Sequence, residues 1–211
     1  MIVANLPTFS LSTAPNSRMT HELTVCCRRS PILHYCAASA RLFLFYSESR
    51  KAMSPGGDIK CITSDSAGLE WSEPRTILTH EADGGVPKVL ANKLCVTTSG
   101  VWLLPFWREP LNSWLEYSHY HPLQENPAKR QPVPSVAPAA AAPETRDGAA
   151  SCLISRDRGH TWKVGGNVSD SARRTWLIEN SVCESAPGEL LMLFRSGEGC
   201  IFAAKSTDCG A

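Results

Sequence analysis

The chain has 211 residues, enough for one sizeable core by length alone, and its 21 basic and 20 acidic residues leave a net charge of +1. That balance gives no basis for a nucleic-acid partner or an acidic membrane surface, and no stretch approaches the roughly 18 apolar residues of a membrane span. Six Trp, 15 Pro and 14 Gly, with no long window of helical period, point to an all-β chain of short strands separated by turns. The nine Cys are an odd number and contain no C-x-x-C pair, so they read as small buried apolar residues rather than as a disulfide framework or a zinc site.

Met1 to Arg29 carries Ser, Thr and Arg with Glu22 as its first acid, a weakly transit-peptide-like composition. It reads as a poorly defined N-terminal segment that carries no clear signal-peptide pattern. From Ser30 a rhythm begins. Pro31–Tyr35, Arg41–Ser47, Asp58–Thr63 and Arg75–Leu78 read as four strands joined by short turns, one antiparallel sheet of the size of a propeller blade. The rhythm restarts with Lys93–Thr98, Val101–Trp107 and Trp114–Tyr120. Glu125–Ala150, rich in Pro and Ala, reads as a flexible insertion that cannot bury a core. Ser151–Ser155 and Val164–Val168 resume the second unit. Ser181–Cys183 and Leu190–Phe194 form a hairpin around Ala186-Pro187-Gly188, and Cys200–Lys205 is the next strand.

A motif recurs after the third strands. Ser155-x-Asp157-x-Gly159-x-Thr161-Trp162 is complete, and Ser206-x-Asp208-x-Gly210 matches its first five positions. Ser64 to Trp71 keeps the Ser, Gly and Trp but has Ser66 at the Asp position, with Asp65 one place early. The expected geometry is a tight turn between a blade's third and fourth strands. Its Asp accepts hydrogen bonds from turn N–H groups, its Gly adopts a conformation closed to residues with a Cβ, and its Trp packs the hairpin down. The copies at 155 and 206 lie one blade apart, and the chain ends within the last of them, so it is expected to be part of a longer propeller.

This motif is the Asp box, and the chain resembles the sialidase (neuraminidase) superfamily of BNR-repeat proteins, nearest to its bacterial and plant-type group. Pro31-Ile32-Leu33 through Leu44-Phe45-Tyr46, Val86-Pro87-Lys88 with Asn92-Lys93, Trp102-Leu103-Leu104-Pro105 and Glu179 to Arg195 carry the likeness. The resemblance implies a partial β-propeller of antiparallel four-stranded blades, about half of a six-bladed fold. It implies a glycoside hydrolase removing terminal sialic acid or a related acidic sugar from glycans. The alternative is a non-catalytic Asp-box propeller that binds glycan or protein, since the boxes are scaffold and function lives in the site.

The superfamily uses a Tyr nucleophile activated by a Glu, an Asp acid/base and three Arg that hold the sugar carboxylate. Glu179 and Arg195 are the best carry-over, as activating Glu and carboxylate-binding Arg. They lie eight residues either side of Pro187, which puts both at the end of the hairpin opposite its turn. A solvated ion pair would have the same spacing. Arg29 and Asp58 loosely match the first Arg and the acid/base, although the residues around Arg29 depart from the family pattern. Lys88, Asn92, Lys93, Arg108 and Glu109 could line the pocket or be ordinary surface residues. No Tyr follows Tyr120, so the nucleophile is not expected within this chain. His119-x-His121 lacks a third ligand, so neither a metal nor any other cofactor is expected.

Overall fold

The computed structural model describes residues 27–49, 56–81, 86–90, 92–108, 149–170 and 175–210. They form three antiparallel sheets that follow one another along the chain. The first contains β1 (Cys27–Cys36), β2 (Arg41–Ser49), β3 (Asp58–Ser64) and β4 (Arg75–Leu78), in that order. Each strand pairs with the next, as the short turns between them require. The second contains β5 (Lys88–Leu90) and β6 (Cys95–Val96), both paired to β7 (Trp102–Arg108), then β8 (Ala150–Ser155) and β9 (Lys163–Val164). The third is β10 (Ile178–Ala186), β11 (Glu189–Arg195) and β12 (Phe202–Ser206). Among the described residues no helix is long and apolar enough to cross a membrane.

The second sheet departs from its expected outline in three places. The strand expected over Lys93–Thr98 is paired only at Cys95 and Val96, and a separate strand, β5, precedes it. Ala149 and Ala150 are buried and Ala150 opens β8, so the end of the expected insertion belongs to the sheet. The segment expected over Val164–Val168 pairs at Lys163 and Val164, then again at Val168 through an isolated bridge to Ala150. Trp114–Tyr120, His119, His121 and the remainder of the insertion lie outside the described residues.

All seven residues of β7 are buried. This follows from its position, with the first sheet on one face and the third on the other. Trp102, Leu104 and Phe106 pack with Phe43, Phe45 and Ile59, while Leu103 packs with Ile154, Val182 and Leu190. Alternate residues thus serve alternate faces, the period-two rule of a strand buried on both sides. Each such aromatic or aliphatic burial contributes about 1.5–3 kcal/mol. Leu104 and Pro105 stand opposite the gap between β5 and β6. A proline has no N–H to donate and is tolerated where a ladder partner is missing.

The turns after β3, β8 and β12 share one geometry. In each, a serine hydroxyl accepts the N–H of the glycine four residues on: Ser64 from Gly68 at 2.9 Å, Ser155 from Gly159 at 2.8 Å and Ser206 from Gly210 at 2.9 Å. Two successive residues lie in the left-handed region in each turn, Arg158 and Gly159 at φ 58° and 86° in the second. The Asp157 carboxylate accepts the Thr161 N–H at 2.8 Å and its hydroxyl at 2.5 Å. In the first turn Ser66 fills that place and accepts the Glu70 N–H at 2.8 Å, while Asp65 turns outward to the Arg41 guanidinium at 2.5 and 2.8 Å. Trp162 closes the second turn by donating to the Gly159 carbonyl at 3.1 Å. Its ring meets Phe45 of the first sheet edge-on, so this Trp joins two sheets as well as packing its own hairpin.

Candidate functional site

The three serine–glycine turns mark one end of each sheet. The opposite rim is made by the starts of β1, β3, β5, β8 and β10 and by the ends of β2, β7 and β11. Most of the polar candidates collect there. They fall into two groups, each bound together by hydrogen bonds.

The first group spans the first two sheets. Asp58 opens β3 and its carboxylate accepts from the His80 backbone N–H at 2.9 Å and contacts His80 Nδ1 at 2.7 Å. Burial pushes the Asp58 carboxyl up, but the hydrogen bonds from the His80 ring and backbone, with charge from His80 and Lys60, bring it below its ordinary value. That environment favours the charged form, a base or an ion-pair partner, where a resting general acid needs the reverse. Beside it, Glu48 pairs with Lys60. Lys88 is fully buried and donates from Nζ to the His80 carbonyl at 2.9 Å. Its backbone bridges to Gly57 in both directions, at 3.0 and 3.1 Å, and a Cβ on neighbouring Gly56 would collide with the Lys88 carbonyl. Lys88 is therefore an interior residue where two sheets meet, contrary to a surface-loop lysine. Arg108 stands opposite Lys88 in the ladder, equally buried, with its guanidinium 5.1 Å from the centre of the Phe106 ring. Neither is a solvated strand-end charge.

The second group joins the second and third sheets. Arg195 donates to Glu179 Oε1 at 2.8 Å, with both side chains about half exposed. The route to this contact differs from a regular hairpin. Ser181 pairs with Leu193 and would put Glu179 opposite Arg195, but the register slips and Ile178 is the Cα partner of Arg195. Glu179 and Asn180 together oppose Phe194, a β-bulge, and Glu179 sits at φ 51° in the left-handed region. For a residue with a Cβ this conformation costs of order 1–2 kcal/mol and is held only by its surroundings. Those surroundings are two amides. Asn92 Nδ2 donates to the carbonyls of Glu179 and Asn180, both at 3.1 Å. Asn180, fully buried, donates to the Ser151 carbonyl of β8 at 3.0 Å.

Arg29 lies in β1 opposite Ser47, on the same rim, and its side chain is outside the described residues, as is all of Glu109. Lys93 is exposed beside Asn92. A bulge recurs in β1, where Ser30 at φ 52° and Pro31 oppose Tyr46. The starts of β1 and β10 are thus built alike. His80, Asn180 and the bulges were missed in the sequence reading. The polar Asn within an otherwise alternating strand was the available signal for Asn180. His80 lies two residues past β4 and carried none. Among the described residues, no group of three or more His, Cys, Asp or Glu is assembled to hold a metal ion.

The BNR repeat-like domain family matches residues 16–211. No curated protein sequence matches the chain. Among solved structures it is similar to the Hadza microbial sialidase Hz136, with 15% identity and a TM-score of 0.56, covering 85% of this chain and 31% of that one. It is similar to Trypanosoma rangeli sialidase in complex with sialic acid, with 14% identity and a TM-score of 0.56, covering 88% of this chain and 27% of the other. It is also similar to Penicillium chrysogenum alpha-L-arabinanase complexed with arabinobiose, with 13% identity and a TM-score of 0.54, covering 87% and 47% respectively. The chain spans less than a third of the length of either sialidase. At these identities the likeness establishes the fold: an all-β, partial propeller whose three sheets are successive blades.

Proposed function

The chain belongs to the BNR repeat-like domain family, and on that premise we propose that it is part of a sialidase-like glycoside hydrolase that removes terminal sialic acid from glycans. The observation that carries this reading is the Glu179–Arg195 ion pair at 2.8 Å, on the rim opposite the Ser155–Trp162 turn and its partial copies. These turns are read as Asp boxes, the scaffold end of each blade. Arg195 uses one guanidinium nitrogen for Glu179 and is half exposed, which leaves N–H donors for the planar carboxylate of an acidic sugar. Glu179, held against Arg195 and half exposed, is placed to accept a proton from a nucleophile beside it. The Tyr nucleophile, the acid/base and the other Arg residues would come from elsewhere in the propeller, with Arg29 a candidate within this chain; Asp58, its charged form favoured by His80, suits a base rather than a resting acid.

The test is hydrolysis of a fluorogenic aryl sialoside by the full-length protein, wild type against Glu179→Gln. A fall in kcat of about 10²–10⁴-fold supports the role. Full activity of the variant overturns it. A wild-type protein that binds sialic acid without hydrolysing the sialoside would establish the alternative, a glycan-binding propeller.

A further inference from the structure

We infer that Asn92 is a positioning residue for Glu179, acting across the interface between the second and third blades. The inference rests on the role proposed above for Glu179. Three observations converge on it. The edge strand position of the second blade beside β7 is interrupted, β5 ending at Leu90 and β6 beginning at Cys95, and Asn92 lies in that gap. Its amide nitrogen donates to two carbonyls of another blade, those of Glu179 and Asn180, at 3.1 Å each. Those two residues are the bulge that turns Glu179 into the left-handed region.

The physical consequence runs through the backbone. A left-handed Glu relaxes to ordinary strand geometry unless something holds its peptide, because the Cβ clash is relieved by that rotation. A β-strand slipped by one residue sends the side chain to the other face of the sheet. Donation from Asn92 to the Glu179 and Asn180 carbonyls holds the two successive peptides that follow the left-handed residue, Glu179–Asn180 and Asn180–Ser181, and the Asn180 side chain anchors the bulge to Ser151 of the second blade. The Glu179 carboxylate is thereby delivered to Arg195 although the backbone register pairs Ile178 there. A half-exposed ion pair gains too little by itself to impose such a backbone. The interrupted strand and the bulge are two halves of one device.

The experiment compares Asn92→Ala and Asn92→Asp with wild type and Glu179→Gln in the full-length protein. It reads kcat and KM on the fluorogenic sialoside, thermal midpoint, and amide hydrogen exchange over 178–181. Both Asn92 variants remove the donor, and Asp keeps the shape of Asn. The expected result is a fall in kcat of roughly 10–100-fold, the scale of a small displacement of a catalytic group, with KM within about twofold of wild type. Exchange over 178–181 is faster in both variants. In the Glu179→Gln background, Asn92→Ala should lower kcat little further, because the group it positions is already disabled. If Glu179→Gln is impaired while both Asn92 variants keep wild-type kcat, the positioning role is overturned and the function stands. If Glu179→Gln is fully active, the catalytic reading falls. Unchanged exchange in the Asn92 variants overturns the clamp in either case, and a thermal midpoint that drops with exchange unaltered does the same.

Discussion

Arg75, at the start of β4 in the first blade, donates to the carbonyl of Gly159 in the second at 2.6 Å, and to that of His160 at the same distance. One guanidinium thus clamps the complete turn motif of the next blade from outside. It acts on the turn end, while the Lys88–Gly57 bridge acts on the rim. Arg75→Ala is expected to lower stability by about 1–3 kcal/mol, the scale of hydrogen bonds from a charged donor. Urea unfolding checks it, and a midpoint equal to wild type would show that water replaces the clamp at no cost.

Gly159 carries a second expectation. At φ 86° it adopts backbone that L-residues rarely hold, and a Cβ there would stand 3.0 Å from a Trp102 ring carbon and 3.2 Å from one of Phe43. Gly159→Ala should lose about 1–3 kcal/mol from overpacking alone, with backbone strain added to it. Gly188→Ala is the control, since a Cβ at that turn meets nothing within 4 Å although its φ is 79°. The difference between the two variants in urea unfolding isolates the packing part.

Asp157 makes stability depend on pH. Hydrogen bonds from the Thr161 hydroxyl, then its N–H, hold the carboxyl well below the usual carboxylate range. A folded pKa below the unfolded value stabilises the fold above the unfolded pKa, near 3.9 for Asp, and that contribution is lost as pH falls through the folded value. Asp157→Asn should therefore be less stable than wild type at pH 7, and the gap should close as pH drops below about 4. A gap that persists unchanged in acid, measured as the urea midpoint, would assign the effect to shape rather than charge. Asp58, Asp65 and Glu184 are shifted the same way and contribute a background common to both proteins.

The cysteines divide by reactivity. Burial pushes the Cys61 thiol up to about 11 and the Cys152 thiol up to about 12, so both stay protonated and shielded at neutral pH. Cys183 and Cys200 are exposed. Iodoacetamide at pH 7.5 should label Cys183 and Cys200 in the folded protein, and Cys61 and Cys152 only after denaturation. Peptide mass mapping distinguishes the four, and native labelling of Cys152 would place the second blade's inner face in solvent.

The first blade was legible strand by strand, and the observed β4 has the expected bounds, Arg75–Leu78, but β1 begins at Cys27, four residues before the expected Pro31 and inside the segment read as poorly defined. Its strands are sequential neighbours, and each is long or apolar enough to stand out. The second blade was harder. Lys88–Leu90 is three residues long and begins with a lysine that is buried, so hydropathy disguises it. Candidate placement was similar. The hairpin brought Glu179 and Arg195 to one end as the spacing required, but a bulge with a left-handed Glu leaves no mark in an alternating pattern.

What the sequence by itself determined are the features whose partners are close along the chain. The serine–glycine turns close over four residues, and even the incomplete copy folds the same way because Ser66 accepts the Glu70 N–H as Asp157 accepts the Thr161 N–H. Only the tertiary structure decided the blade-to-blade joints. Arg75 reaches Gly159 across 84 positions, and Asn92 reaches Glu179 across 87. The physical reason is range: a turn's hydrogen bonds are selected by local backbone geometry, whereas a contact between blades exists only once two sheets have packed and brought their rims together.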